Sequence, residues 1–298
     1  MIYPSGIIPA VPAIFDEKDH LQIQEVKDVI SFLKDRKCHG IALNLIGGEF
    51  YKLSEHERQE IVRAGIETAG GKMPVYCGIS APGTTEACRN AKSAAGLGAD
   101  CLIVMPPYYN PTGSYSNRAI NDHFSSIASC TDLPFIIQDF NYGIPVRILA
   151  KIRKEFSGFA GLKIEGSRPL QIENRIRNVR HELGTDFGIL GGMLGVNLPG
   201  ELEAGSTGSI PGSSLADFMM EEYNAVRNGS LTNPDHYRVL GKILKAESSK
   251  MKYFVYLEKS ILKHRGIIEH EYCRKPYDYP QSRLIDMILN DVDTLIFP

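Results

Sequence analysis

The chain carries a lysine where lysine is costly. In Gly158-Phe159-Ala160-Gly161-Leu162-Lys163-Ile164-Glu165-Gly166, an apolar strand pattern holds one ammonium near its C-terminal end. A carboxylate comes two residues on, and a glycine breaks the run. Burying an ammonium is unfavourable unless it is paired or loses its charge. A desolvated lysine is also the nucleophile that forms Schiff bases with carbonyl substrates. Side chains two apart in a strand share a face, so Glu165 projects into the same space as Lys163. The plain alternative is a strand-end lysine that snorkels to water and pairs with Glu165.

Three further segments end apolar runs in the same way. Leu45-Ile46-Gly47-Gly48-Glu49-Phe50 places two glycines where backbone N–H groups could form an anion nest for a substrate carboxylate. An ordinary glycine loop fits the same residues. Glu49 could orient that loop or face solvent. Met105-Pro106-Pro107-Tyr108-Tyr109-Asn110 brings two phenols that could relay protons, or simply pack. In Ile136-Ile137-Gln138-Asp139-Phe140, alternation puts Gln138 on the face of Ile136. There it could hold a substrate hydroxyl or a water, or satisfy a neighbouring backbone group. Together these residues suit a 2-oxo acid. The carboxylate docks in the nest, Lys163 condenses with the C2 carbonyl, and the protonated imine acidifies C3.

The elements that must position them alternate in type. Strands are expected at 6–14, 40–45, 74–79, 99–105, 133–140, 159–165, 187–191 and 206–210. Helices are expected near 21–36, 54–69, 84–97, 115–129, 146–156, 168–182, 197–204 and 213–228. Ser54 followed by Glu57 fits a capping box at the second helix. Eight β-then-α units predict a (β/α)8 TIM barrel over 1–228, with its site at the C-terminal strand ends. A doubly wound sheet is the alternative, but no early GxGxxG opens a helix. From 229 to 298 the alternation stops, and helices near 234–265 and 280–293 read as a C-terminal extension packed on the barrel.

Bulk properties narrow the function classes. The 298 residues carry a net charge of -2, with no basic run for nucleic acid or an anionic membrane. The six cysteines show no CxxC and no ligand-like spacing with histidine, which suggests reduced thiols of a cytoplasmic protein and no metal site. The N-terminal run is apolar but interrupted by prolines and lacks a basic lead-in, so neither a signal peptide nor a membrane span is expected.

Taken in order, the motifs resemble those of the dihydrodipicolinate synthase/N-acetylneuraminate lyase family of class I aldolases and dehydratases. Gly48-Glu49 with Leu53-Ser54 and Glu57-Arg58 is similar to one family segment, and Pro107-Tyr108-Tyr109-Asn110 with His123-Phe124 to another. Gly161-Leu162-Lys163, Gly205-x-x-Gly208-Ser209-Ile210, Gly266-Ile267-Ile268 and Arg274-Lys275-Pro276 continue the match nearly end to end. The resemblance implies that Lys163 is the Schiff-base lysine and that Tyr109 reaches a neighbouring subunit's site. It also implies a homotetramer of tight dimers and no metal or organic cofactor.

The departures from the family bear on the reaction. Its threonine pair is Ile46-Gly47 here, leaving backbone donors. Its strand-five tyrosine aligns with Gln138. The arginine that holds the second substrate's carboxylate in dihydrodipicolinate synthase has no counterpart in Asn141-Tyr142-Gly143-Ile144, and Arg147 belongs to the next helix. Gln138 with Lys163-x-Glu165 is similar to the branch of 2-keto-3-deoxy-sugar-acid dehydratases, such as those acting on 2-keto-3-deoxyarabonate. The glycine-rich stretches at 190–193 and 205–212 add to that likeness and mark Gly191 and Ile210, with Gly47 and Gly48, as substrate-binding. The expected roles are Lys163 as nucleophile, Glu165 as C3 base, Gln138 as positioner and Tyr109 as a second-subunit contributor. The alternatives are a pyruvate-dependent aldolase and a non-catalytic paralogue that binds a 2-oxo acid.

Overall fold

A computed structural model describes residues 3–108, 111, 114–140, 143–166, 168–230, 234–249 and 251–296. Strands β1 (Gly6–Ile7), β2 (Ile41–Leu43), β3 (Val75–Gly78), β4 (Cys101–Val104), β5 (Phe135–Phe140), β6 (Phe159–Glu165), β7 (Gly188–Gly191) and β8 (Gly208–Ser209) pair in parallel. They alternate with α1 (Ile23–Asp35), α2 (Glu55–Ala69), α3 (Thr84–Leu97), α4 (Asn117–Ala128), α5 (Val146–Glu155), α6 (Pro169–Leu183), α7 (Leu198–Glu203) and α8 (Ala216–Arg227). The sheet runs β1-β8-β7-β6-β5-β4-β3-β2 and closes through a parallel bridge between Ala10 and Ala42. This is the expected (β/α)8 barrel.

Both faces of a parallel barrel are covered, so its strands are apolar almost throughout. Ile8, Tyr76, Ile103, Ile136, Leu190 and Ile210 belong to an inner cluster that fills the barrel. Ile137, Leu162, Ile164 and Ile189 point outward to the helix layer. One irregularity sets the face of the lysine. Phe135 pairs with Phe159, but Ile136 pairs with Gly161, so Ala160 is an extra residue in β6. After this bulge Gly161, Lys163 and Glu165 face inward.

Two expected elements differ. The first strand is expected at 6–14, but its ladder covers only Gly6–Ile7 before single contacts at Ala10. Pro9 and Pro12 have no N–H to continue it. The helix expected at 234–265 is two helices, α9 (Pro234–Ser249) and α10 (Phe254–His264), with a 3-10 turn at Met251–Tyr253. Ser248 and Ser249 donate their hydroxyls to the carbonyls of Lys245 and Ala246, the local competition that weakens serine in helices. The last helix, α11 (Ser282–Ile296), packs against α9 and α10. The expected capping box forms: Glu57 N–H donates to Ser54 Oγ at 3.3 Å and Ser54 N–H to Glu57 Oε2 at 2.8 Å. Glu57 also pairs with Arg274 at 2.7 Å, which ties α2 to the C-terminal segment and holds the carboxyl down at about 2.

Gly208 marks the tightest closure. A Cβ there would sit 2.0 Å from the carbonyl oxygen of Gly6 and 2.4 Å from its nitrogen. Backbone cannot rotate away as a side chain can. Gly208→Ala is therefore expected to cost about 1–3 kcal/mol or more by overpacking. The measurement is a urea unfolding curve, with a lower midpoint at unchanged slope.

Candidate active site

The C-terminal ends of β5 and β6 lie side by side, with Gln138 paired to Lys163 and Phe140 to Glu165. Lys163 is 5% exposed, Glu165 8% and Gln138 2%. Lys163 therefore does not snorkel. Its ammonium stands 2.9 Å from Glu165 Oε1. Gln138 donates its amide to Glu165 Oε2, and the backbone N–H of Met193 donates to Oε1 at 3.3 Å. Burial alone would raise the Glu165 carboxyl. The Lys163 charge and hydrogen bond, with the Gln138 and Met193 donors, outweigh it and leave the group below its ordinary value.

The loop after β7 supplies that amide through an uncommon backbone. Met193, Leu194 and Gly195 take φ values of 48°, 62° and 85° in succession. Left-handed conformations of non-glycine residues cost about 1–3 kcal/mol each and persist where the surroundings impose them. Gly192 before them has no side chain because a Cβ there would lie 2.2 Å from Glu165 Cγ.

A cavity of about 60 Å³ opens on this cluster, lined by Gln138, Lys163, Glu165, Gly47, Ile210 and Met193 among others. It shares Ile46, Phe140, Met251 and Phe254 with an apolar hollow of about 540 Å³ that Tyr51, Pro107 and Tyr108 also border. The inner chamber suits a small polar head, and the outer hollow leaves room for more.

Gln138, Lys163, Glu165, Gly47 and Ile210 thus come together. Two expected binding residues do not line the cavity. Gly48 is buried, and its N–H bonds the Leu45 carbonyl at 2.9 Å. The Glu49 N–H bonds Ile46 at 3.0 Å, so these amides close a 3-10 turn instead of opening a nest. Gly191 faces the helix layer, where a Cβ would sit 1.6 Å from the carboxylate of Glu201. Its missing side chain makes room for Glu201, not for substrate. Glu201 is fully buried with neither oxygen hydrogen-bonded among the described residues, and burial with the charges of Glu165 and Glu173 pushes its carboxyl up to about 8. Tyr109 and Asn110 lie outside the described residues, as do Asn141 and Tyr142.

Glu49 orients its loop. It is fully buried, adopts φ 52°, and pairs with Lys259 at 2.7 Å and Lys52 at 3.1 Å. Arg147 is exposed on α5, and Arg175 is turned outward onto Asp139 at 2.8 Å. Among the described residues lining the cavity, Lys163 is the sole cation. Sequence reasoning passed over Met193 and Glu258. Glu258 lines the cavity from α10. The signal available was a Glu-Lys-Ser triplet inside an apolar helical run at 254–262.

Fold and site together define a barrel protein built around an internal lysine–carboxylate pair at its C-terminal mouth. The chain belongs to the dihydrodipicolinate synthetase family, whose sequence pattern it matches over residues 3–283. It is similar to the 4-hydroxy-tetrahydrodipicolinate synthase of Methanopyrus kandleri, 28% identical over 248 residues, which cover 79% of each chain. It is also similar to the L-2-keto-3-deoxyarabonate dehydratase of Azospirillum brasilense, 24% identical over 286 residues, or 93% of this chain and 91% of that one. The crystal structure of dihydrodipicolinate synthase from Rhodopseudomonas palustris superposes with a TM-score of 0.85 at 21% identity over 97% of each chain, a likeness of fold.

Proposed function

We propose that the protein is a Schiff-base-forming lyase that dehydrates a small 2-keto-3-deoxy sugar acid. The observation that carries this reading is the set Lys163, Glu165 and Gln138 on one inward face, with the amide of Gln138 hydrogen-bonded to the carboxylate. Lys163 adds to the C2 carbonyl after passing a proton to Glu165 Oε1, its neighbour at 2.9 Å. Glu165 returns that proton to the carbinolamine hydroxyl, which leaves as water and gives the protonated imine, with the carboxylate restored. C3 is then two bonds from Nζ, within the neighbourhood of the same carboxylate oxygen, which removes its proton. The C4 hydroxyl leaves as water, and hydrolysis of the conjugated imine frees Lys163. No metal or organic cofactor is required, because the protonated imine nitrogen is the electron sink.

Carbon–carbon cleavage instead needs a base on the C4 hydroxyl. At Gln138 the chain offers an amide, which is no base. The lack of an arginine among the described cavity residues also speaks against a dicarboxylate pathway such as lysine biosynthesis. The relative named for 2-keto-3-deoxyarabonate dehydration supports the same direction. The apolar hollow with exposed Tyr51, Tyr108 and Phe140 suits a neighbouring subunit, in keeping with a homotetramer of tight dimers to whose sites Tyr109 contributes.

The test is product analysis with a panel of 2-keto-3-deoxy pentonates and hexonates. A dehydrated oxo acid is expected with at least one. Release of pyruvate would overturn dehydration in favour of the aldolase. Binding without turnover across the panel would leave the non-catalytic paralogue.

A further inference from the structure

The inner chamber and the outer hollow meet at four side chains among the described residues, Ile46, Phe140, Met251 and Phe254, which border both. All four are apolar. They converge from separate parts of the fold: the turn after β2, the last residue of β5, and the turn and helix start that follow α9. The chain does not cover them. Phe140 is 44% exposed and Met251 38%, while Ile46 and Phe254 are half-buried. Contiguous apolar surface left open at the mouth of a polar site is a binding surface for an apolar group.

Polar side chains divide at this collar. Inside it, those of the described residues lining the chamber are Gln138, Lys163, Glu165 and Glu258. The first three are engaged with one another and, in the reading above, with C2 to C4 of the substrate. Glu258 accepts the N–H groups of Ser213 at 3.0 Å and Ser214 at 3.1 Å and does not border the hollow. The collar itself has no side chain that can donate or accept a hydrogen bond. Outside it, the one charged group among the described residues bordering the hollow is Asp139, which is fully buried and spent on Arg175 at 2.8 Å and the Ile144 N–H at 3.2 Å. The phenols of Tyr51 and Tyr108 border the hollow but not the chamber, and both rings stand edge-on to Phe50.

A substrate whose first four carbons fill the chamber passes its next carbons through the collar. A hydroxyl at C5 or C6 would lose water there without a side chain to replace it, whereas a methyl or methylene gains by burial. Resting on the reading of the protein as a dehydratase of a 2-keto-3-deoxy acid, we propose that its substrate is deoxygenated beyond C4, a 4-hydroxy-2-oxo acid whose alkyl tail is held by Ile46, Phe140, Met251 and Phe254. These four residues set specificity by contact. Ile46 stands where the resembled family has the first of its threonine pair, and a threonine there would return a hydroxyl to the collar. The collar is the inner rim of the hollow, so a neighbouring subunit over the outer part would roof the tail and leave the collar to it.

The test compares acids of equal length and equal C4 configuration that differ only in the distal hydroxyls: 4-hydroxy-2-oxopentanoate against 2-keto-3-deoxypentonate, and 4-hydroxy-2-oxohexanoate against 2-keto-3-deoxyhexonate. Turnover by the full-length protein is followed by mass spectrometry as loss of one water. The kcat/KM of the deoxygenated partner should be higher by about 10-fold to 10²-fold. Each added methylene in the tail should raise it by about fourfold. The difference should fall mainly in KM, because the tail is held alike before and during the reaction. Met251→Gln and Ile46→Thr each place a hydrogen-bonding group on the collar and should cut the ratio within a pair by about 10-fold. The ratio is taken within each protein, so a general loss of folding or activity cancels, and the ratio in the unmodified protein decides alone if a variant does not fold. Equal or higher kcat/KM for the hydroxylated partners, or a ratio unmoved in both variants, overturns the proposal and leaves dehydration standing. Pyruvate released with the same preference for alkyl tails supports the collar and overturns dehydration. Turnover of neither series overturns both.

Discussion

Lys163→Met is expected to abolish both the borohydride-trapped adduct and measurable turnover while the barrel still folds. Methionine fills nearly the same buried space without an amine. The harder question is whether loss of activity reports lost chemistry or lost charge, because Lys163 also holds Glu165 at 2.9 Å. Lys163→Arg separates the two. Arginine keeps a positive charge beside the carboxylate but remains protonated at any working pH and forms no imine. Both variants should therefore be inactive and unlabelled. They should differ in stability, with Lys163→Met the weaker, because it leaves a carboxylate buried without its counter-charge. A labelled product in either variant would refute the assignment of the nucleophile.

Glu165→Gln should separate imine formation from the loss of water at C3 and C4. Removing a positioned general base costs about 10²–10⁴-fold in rate. The glutamine keeps the shape of the site but cannot take the Lys163 proton, so pyruvate should still be trapped on Lys163, only more slowly, while dehydration falls by that factor. The pH dependence has a definite sign. The folded-state pKa of Glu165 is depressed, with burial opposed and outweighed by Lys163, Gln138 and Met193. Its stabilising contribution is fully present above the unfolded value of about 4.3 and is lost as pH falls through the lower folded value. The base is thus ionised throughout the neutral range in the free protein, and an acid limb of kcat/KM assigned to it should lie below the usual glutamate range. Dehydration at an undiminished rate in Glu165→Gln would transfer the role to another group.

Lys163, Glu165 and Gln138 were legible because alternation within a strand needs only a few neighbouring residues. It gave the inward face correctly even though the bulge at Ala160, which resets the pattern just before, was not visible. The capping box at Ser54 and Glu57 was legible for the same reason. Gly48 and Gly191, expected as substrate-binding, stand outside the cavity lining, because a glycine signals that a side chain is excluded without saying what excludes it. At Gly48 the loop turned tightly on itself, and at Gly191 a buried glutamate from α7 took the space. Glu258 escaped notice because it reaches the cavity from α10, in the C-terminal helices beyond the β/α alternation. Hydrophobic periodicity carries no information about where such helices pack.

The break between α9 and α10 gives the chain a division of labour. Lys163, Glu165 and Gln138 stand on strands that are laced into the barrel's hydrogen-bond ladder, where most substitutions disturb the whole fold. Met251, Phe254 and Glu258 line the cavity from helical segments outside that ladder. Substrate range can therefore drift, in evolution or by directed mutagenesis, through residues 251–258 while the reacting groups stay where they are.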